Sequence, residues 1–327
     1  MKIAIVGGGL CGLTAGRELD SAGLAVTVFD KGRGVGGRMS TRRADDGVLF
    51  DHGAQYFTAR DPRFQEAVDQ WVDSEVAAEW TGRIVAIGED DQQPKDEAIR
   101  FVGVPGMSNV CRRLAEGIDV RKATRVASIQ QQNGGWALTD ENDASLGEFD
   151  RVLVTAPPIQ TAALLDGIAP FASQIADVNL DPCWAVMVTF AERFEVPFDG
   201  AFVNREDAKL SWVARMSSRP DRPTEPDAWV LHGSPAWSNR SIEDPPFGVR
   251  AALLEDFSIV TERTLPPVKS AEAHRWRYAF CPDPLDAGCF YDPDTGLGAG
   301  GDWCNGARVE GAFLSGMELA GRVLESR

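Results

Sequence analysis

The chain has 327 residues and a formal charge of −16, from 33 basic and 49 acidic side chains. That balance sets long-range repulsion against nucleic acid or an anionic membrane surface, and neither is an expected partner. The length exceeds one small core, so two joined domains able to bury a large ligand are expected.

The N-terminus shows no basic and apolar leader pattern, and no apolar run reaches membrane length, so a cytoplasmic location is expected. Instead it opens on Ile3, Ala4, Ile5 and Val6, followed by the turn Gly7, Gly8, Gly9, Leu10, Cys11, Gly12. Gly7, Gly9 and Gly12 fill the GxGxxG dinucleotide fingerprint: one glycine for the tight turn, one for backbone approach to a pyrophosphate, one for close helix–strand packing. Leu10, Leu13, Ala15 and Leu19 space as a helix that stops at Gly23, and its free N–H groups would receive the pyrophosphate. Val26, Val28 and Phe29 make a second strand that ends on Asp30, placed to accept from ribose hydroxyls.

A glycine-rich loop follows, from Lys31 through Gly37, Arg38, Met39 and Ser40. Its natural use is to wrap the far side of a diphosphate, with Arg38 supplying a planar donor fork. The pairing of GGGLCGL with DKGRGVGGRMSTRR, then FDHGAQYFTARDPRF, resembles flavoproteins of the amine-oxidase superfamily, and most closely the bacterial renalase-like proteins. The agreement is dense over residues 1 to 64, resumes at Thr155 to Pro158 and returns at the C-terminus.

The resemblance implies an α/β, two-domain FAD-binding fold of p-hydroxybenzoate-hydroxylase and amine-oxidase type: a Rossmann-like βαβ unit, a β-meander and an antiparallel substrate sheet. Residues 1–61, 104–163 and 281–327 would bind noncovalent FAD, and 62–103 and 164–280 would form the substrate domain. It also implies that Gly53, Ala54, Gln55 and Tyr56 run beside the flavin ring, and that Gln55, Tyr56, Phe57, Thr58, Ala59 and Arg60 touch substrate. Val126 would offer its backbone to adenine.

Further along, residues 62 to 100 are expected to form a helix (Phe64 to Val72), a strand (Arg83 to Ile87) and a polar loop (Glu89 to Glu97). Ser108 is a plausible N-cap for a helix over Asn109 to Glu116. Three strands of a meander are expected at Thr124 to Ile129, Gly135 to Thr139 and Arg151 to Thr155. Beyond Leu164 the strands interleave Trp and Phe, and Trp184, beside Pro182 and Cys183, is the preferred aromatic wall for a flat heterocycle. Arg275 and Arg277 share a strand face, where they either hold phosphate or pair with surplus acids.

Near the C-terminus, Gly301 and Asp302 precede Arg308 and Val309. Asp302 matches the acid that binds the ribityl chain in FAD proteins of this type, and the next helix would aim its N-terminus at the flavin. Six cysteines without a CxxC pair, and three histidines (His52, His232 and His274) far apart in the chain, argue against disulfides, a metal site or a catalytic histidine pair.

The leading expectation is a renalase-like oxidase that passes hydride from 2- or 6-dihydro-NAD(P) to flavin, with O2 reduced to H2O2. A flavin amine oxidase is the alternative, disfavoured by only three tyrosines and six lysines. A non-enzymatic protein of the same fold, like the prenyl-GTPase escort proteins, is the third. A monomer is the expected state.

Overall fold

The computed structural model describes residues 1–88, 92–94 (backbone only) and 98–327. Strand β1 (Lys2–Val6), helix α1 (Leu10–Ser21) and strand β2 (Ala25–Phe29) form the expected βαβ unit. They centre a six-stranded sheet in the order Phe290–Asp292, Leu297–Ala299, Arg151–Val154, β1, β2, Asp119–Arg121, parallel except for the first strand. Ile3, Ala4 and Ile5 are fully buried, as a strand covered on both faces requires. The C-terminal helix, Val309–Glu325, packs on α1 so closely that a Cβ on Gly316 would lie 2.4 Å from the Cys11 carbonyl oxygen.

The meander is real, but its third strand is Ser145–Phe149, in the stretch between the second and third strands expected. Arg151–Val154 pairs with β1 instead, where its apolar residues are buried on both faces. Ser108 is the first residue of its helix rather than the cap; its N–H goes to Thr41 Oγ1 at 3.1 Å.

The second large sheet has seven strands in the order Val268–Phe280, Asp181–Phe190, Asp227–Gly233, Leu210–Arg215, Gly200–Val203, Ile84–Ile87, Gln92–Pro94. It is antiparallel apart from the pairing of Gly200–Val203 with Ile84–Ile87, so residues 84–87 join the later strands in one sheet. The loop expected at 89–97 lies outside the described residues except for Gln92–Pro94, which pair with Ile84–Ile87. The helix before it runs Pro62–Asp73, capped by Asp61 accepting from Arg63 N at 2.9 Å.

Candidate active site

Between the two large sheets lies a cavity of about 1820 Å³. A site for one small ligand measures about 300–1,000 Å³, so there is room for a long cofactor and a second molecule. One end is the glycine turn. Gly7 has φ +119°, and a Cβ on Gly12 would lie 2.1 Å from the Gly7 carbonyl oxygen, so both positions demand glycine for the chain's own sake. Gly9 is different: a Cβ there would meet nothing within 4 Å, and the residue faces the cavity. It is also the N-cap of α1, whose first N–H groups lack intrahelical partners, so a diphosphate fits this cradle.

Asp30 lies on the same wall and accepts from Gly8 N at 2.7 Å and Gly32 N at 2.6 Å. Burial raises its pKa and these two N–H groups oppose the rise. A carboxylate has about four acceptor sites, so two remain for ribose hydroxyls. Lys31, Thr124, Arg125 and Val126 continue this arm of the cavity.

At the other end, Arg38 donates to Asp302 through both terminal nitrogens, at 2.8 and 2.5 Å, and to the Ala279 carbonyl at 3.1 Å. Burial works against the guanidinium charge, but the Asp302 carboxylate prevails and raises the Arg38 pKa. Arg38 was expected on a phosphate; its partner here is the acid expected on the ribityl chain. Both residues face the cavity, with Gly37, Met39, Gly53, Ala54, Gly301, Arg308 and Val309. The N-terminus of the C-terminal helix opens onto it, and Glu310 in that first turn is engaged by Arg60 N and Asp61 N. Cys11 also lines the wall, where burial pushes its thiol up to about 12 and leaves it a neutral, packed group.

Several expected site residues do not reach the cavity. Trp184 is 1% exposed because strand alternation turns it to the opposite face of the sheet. There it packs with Val186 and Val188, and its Nε1 donates to the Ser241 carbonyl at 2.9 Å, while its neighbour Cys183 faces the cavity. Gln55 is buried too, its amide committed to Asp51 O, to Gly53 O at 3.2 Å and to Arg219 at 2.9 Å, so its side chain does not reach the cavity wall. Ala59 and Ser40 are half-buried and do not line the cavity, and Gly12 serves packing. Tyr56, Phe57, Thr58 and Arg60 do line the cavity. Arg275 and Arg277 both pair with Glu243, the simpler of their two expected uses.

The histidines, distant in sequence, converge. His232 and His274 flank Ala185 on one rung of the sheet. The His274 and His52 rings meet at 4.7 Å, with Trp276 stacked on His52 at 5.1 Å. The His52 carbonyl accepts from Trp276 Nε1 at 2.9 Å and His232 Nε2 at 3.1 Å. Burial, with cationic neighbours, lowers His52 to about 4, and burial lowers His232 to about 4 as well. His232, His274, Trp276, Phe202 and Trp212 all line the cavity; Trp212 and Trp276 belong to the interleaved aromatics expected to suit a flat heterocycle, while His232 and Phe202 were not singled out. The only sequence signal for them was the aromatic density of the later strands.

A dinucleotide cradle joined to a second ligand space is the arrangement a FAD-dependent oxidoreductase needs, and FAD is the cofactor the cavity fits. Known proteins agree. Residues 5–71 match the NAD(P)-binding Rossmann-like domain, and residues 85–324 match the flavin containing amine oxidoreductase model. The chain belongs to the flavin containing amine oxidoreductase family.

Among curated relatives, a 4,4'-diapophytoene desaturase of Staphylococcus aureus is 47% identical over 53 residues, which span 16% of this chain and 10% of that protein. The fold matches a protein described as a protoporphyrinogen oxidase from Exiguobacterium sp. 255-15, with TM-score 0.78, 15% identity and 99% of each chain covered. It also matches an engineered putrescine oxidase, with TM-score 0.72, 15% identity, and 100% of this chain and 99% of that one covered. An oxidoreductase from Methanosarcina mazei aligns with TM-score 0.69 and 14% identity over 97% of this chain and 99% of that one. At these identities the three structures speak for the fold alone.

Proposed function

We propose that the protein oxidises isomeric dihydronicotinamides of the 2- or 6-dihydro-NAD(P) type, with O2 as the oxidant and H2O2 as product. The observation that carries this reading is the character of the wall. Tyr56, Phe57, Phe202, Trp212 and Trp276 give flat apolar faces. Around them the described cavity residues include eight cationic side chains (Lys31, Arg38, Arg60, Arg100, Arg125, Arg275, Arg277, Arg308) and four carboxylates (Asp30, Glu141, Asp302, Glu310), and Arg275 and Arg277 are paired with a further acid, Glu243. Each of those carboxylates is already engaged, by Gly8 and Gly32, Arg125, Arg38, and Arg60 and Asp61 respectively. The described wall carries more cations than carboxylates, which favours a neutral ring on an anionic body over an ammonium ion.

The residues divide the work by position. Gly9 and the first turn of α1 receive the diphosphate, Asp30 the ribose, and Asp302 the ribityl hydroxyls while Arg38 holds its charge. Bound there without a covalent bond, FAD supplies the hydride acceptor. The aromatic residues exclude water and hold the donor ring flat. The donor carbon has to come within about 3–3.5 Å of its acceptor, so wall geometry governs the rate.

The test is anaerobic mixing of the yellow protein with 2-dihydro-NAD, 6-dihydro-NAD, α-NADPH and a panel of amines, following flavin bleaching. Rapid bleaching by the isomeric dihydronicotinamides supports the reading. Rapid bleaching by amines and not by these compounds would put amine oxidation in its place.

A further inference from the structure

We propose that Arg219 and Gln55 are positioning residues through which the substrate sheet sets the place of the Gly53–Ala54 wall against the cofactor. Neither side chain lies on the cavity wall, so both act through the backbone between them and the ligand.

The chain of contacts starts at Asp51, which is fully buried. Its carboxylate accepts from Arg219 Nη1 at 2.6 Å, Arg222 Nη2 at 2.7 Å, Thr41 Oγ1 at 2.6 Å and Met107 N at 2.9 Å. A buried carboxylate needs this many donors to remain charged. The two arginines follow strand Leu210–Arg215 and the turn Met216–Ser218, so they come from the substrate side. Thr41 and Met107 belong to the cofactor side.

Arg219 does more than neutralise Asp51. Its planar fork sends Nη2 to Gln55 Oε1 at 2.9 Å, which fixes the orientation of that amide. The amide nitrogen is thereby aimed at the carbonyls of Asp51 and Gly53. The Trp80 ring lies 5.2 Å from the guanidinium and fixes its plane from one side.

Gly53 cannot shift independently. Ala54 N donates to the Arg38 carbonyl at 2.8 Å, and a Cβ on Gly53 would lie 2.0 Å from that same oxygen. A displacement at Arg219 therefore passes through Gln55 to Gly53, and from there to Arg38 and its partner Asp302. The assignment holds whichever donor the enzyme oxidises, because it concerns only the seat of the cofactor.

Arg219→Lys and Gln55→Met test it. Lysine keeps a charge beside Asp51 but a single ammonium lacks the fork that spans Asp51 and Gln55; methionine keeps the bulk of Gln55 and removes its amide. Three readouts are taken: the visible flavin spectrum and midpoint potential of the holoenzyme, and FAD affinity of the apoprotein by flavin fluorescence. Losing one charge-assisted hydrogen bond that holds the wall should weaken FAD by about tenfold in Arg219→Lys. A displaced flavin band and a shifted potential should accompany it, with smaller changes of the same sign in Gln55→Met. Should Arg219→Lys fail to fold, Gln55→Met decides alone. A lower melting temperature with unchanged spectrum, potential and FAD affinity would reduce the cluster to a purely structural tie and overturn the assignment.

Discussion

Replacing Asp302 by alanine separates what the residue does for the protein from what it does for the cofactor. Asp302 is the bidentate partner of Arg38, with side chains 9% and 31% exposed respectively. Removing one partner of a fully buried pair costs about 3–5 kcal/mol, and breaking an exposed pair costs about 0.2–1 kcal/mol. Arg38 keeps partial access to water and its bond to Ala279, so about 2–3 kcal/mol is expected, below the buried-pair figure. At about 2–4 °C per kcal/mol, the melting temperature of apoprotein should fall by roughly 4–12 °C. Adding Arg38→Met to Asp302→Ala removes the stranded cation, and stability should partly return. FAD affinity should not return with it, because the ribityl acceptor is gone in both. Differential scanning calorimetry of the apoproteins and FAD titration of each variant give the two quantities. An Asp302→Ala apoprotein that melts with the wild type would refute the pairing, and full flavin occupancy in that variant would refute the placement of the ribityl chain.

Two further predictions concern the glycine turn and the histidines. Gly12→Ala should disrupt the N-terminal unit, since its Cβ meets the Gly7 carbonyl oxygen at 2.1 Å, while Gly9→Ala should fold normally and lose FAD affinity; circular dichroism with FAD titration distinguishes them. His52 and His232 are held neutral, at about 4 against an ordinary 6.5, so the unfolded chain binds more protons between these values. Their contribution to stability is complete above pH 6.5 and falls as pH drops towards 4, at up to about 1.4 kcal/mol per pH unit for each ring. The unfolding midpoint in urea should therefore fall over that window, and the fall should be smaller in His52→Gln; an identical pH dependence in the two proteins would refute it.

How much of this was legible in the sequence depended on the range of the interaction that decides each feature. The βαβ unit was readable because its periods, its glycines and Asp30 all lie within thirty residues. That Asp302 lies on the cavity wall was expected because a family resemblance supplied its distant context. Trp184 was misplaced for a physical reason: strand alternation shows that Cys183 and Trp184 face opposite ways, but which face meets the cavity is set by the other sheet. The fate of Gln55 was decided by Arg219, 164 residues away, which no local pattern reveals. The histidines were judged distant, yet pairing of two strands with Ala185 put His232 and His274 on one rung. Strand register over such separations comes from packing, and packing is not periodic in sequence.

The contact between the C-terminal helix and α1 has a consequence for how the protein is made. The cavity is lined by Gly9 from the N-terminal unit and by Arg308 and Val309 from the C-terminal segment, and the strand Leu297–Ala299 fills a place beside Arg151–Val154, next to β1 in the first sheet. About 300 residues separate the two ends, and a ribosome adds about 5–20 residues per second, so the N-terminal glycine turn waits roughly 15–60 s for the segment that completes its site. During that interval β1, α1 and β2 lack the helix that covers them, and a nascent chain has an exposed apolar face without a finished seat for flavin. The complete seat for the cofactor therefore exists only once the C-terminal helix has been made.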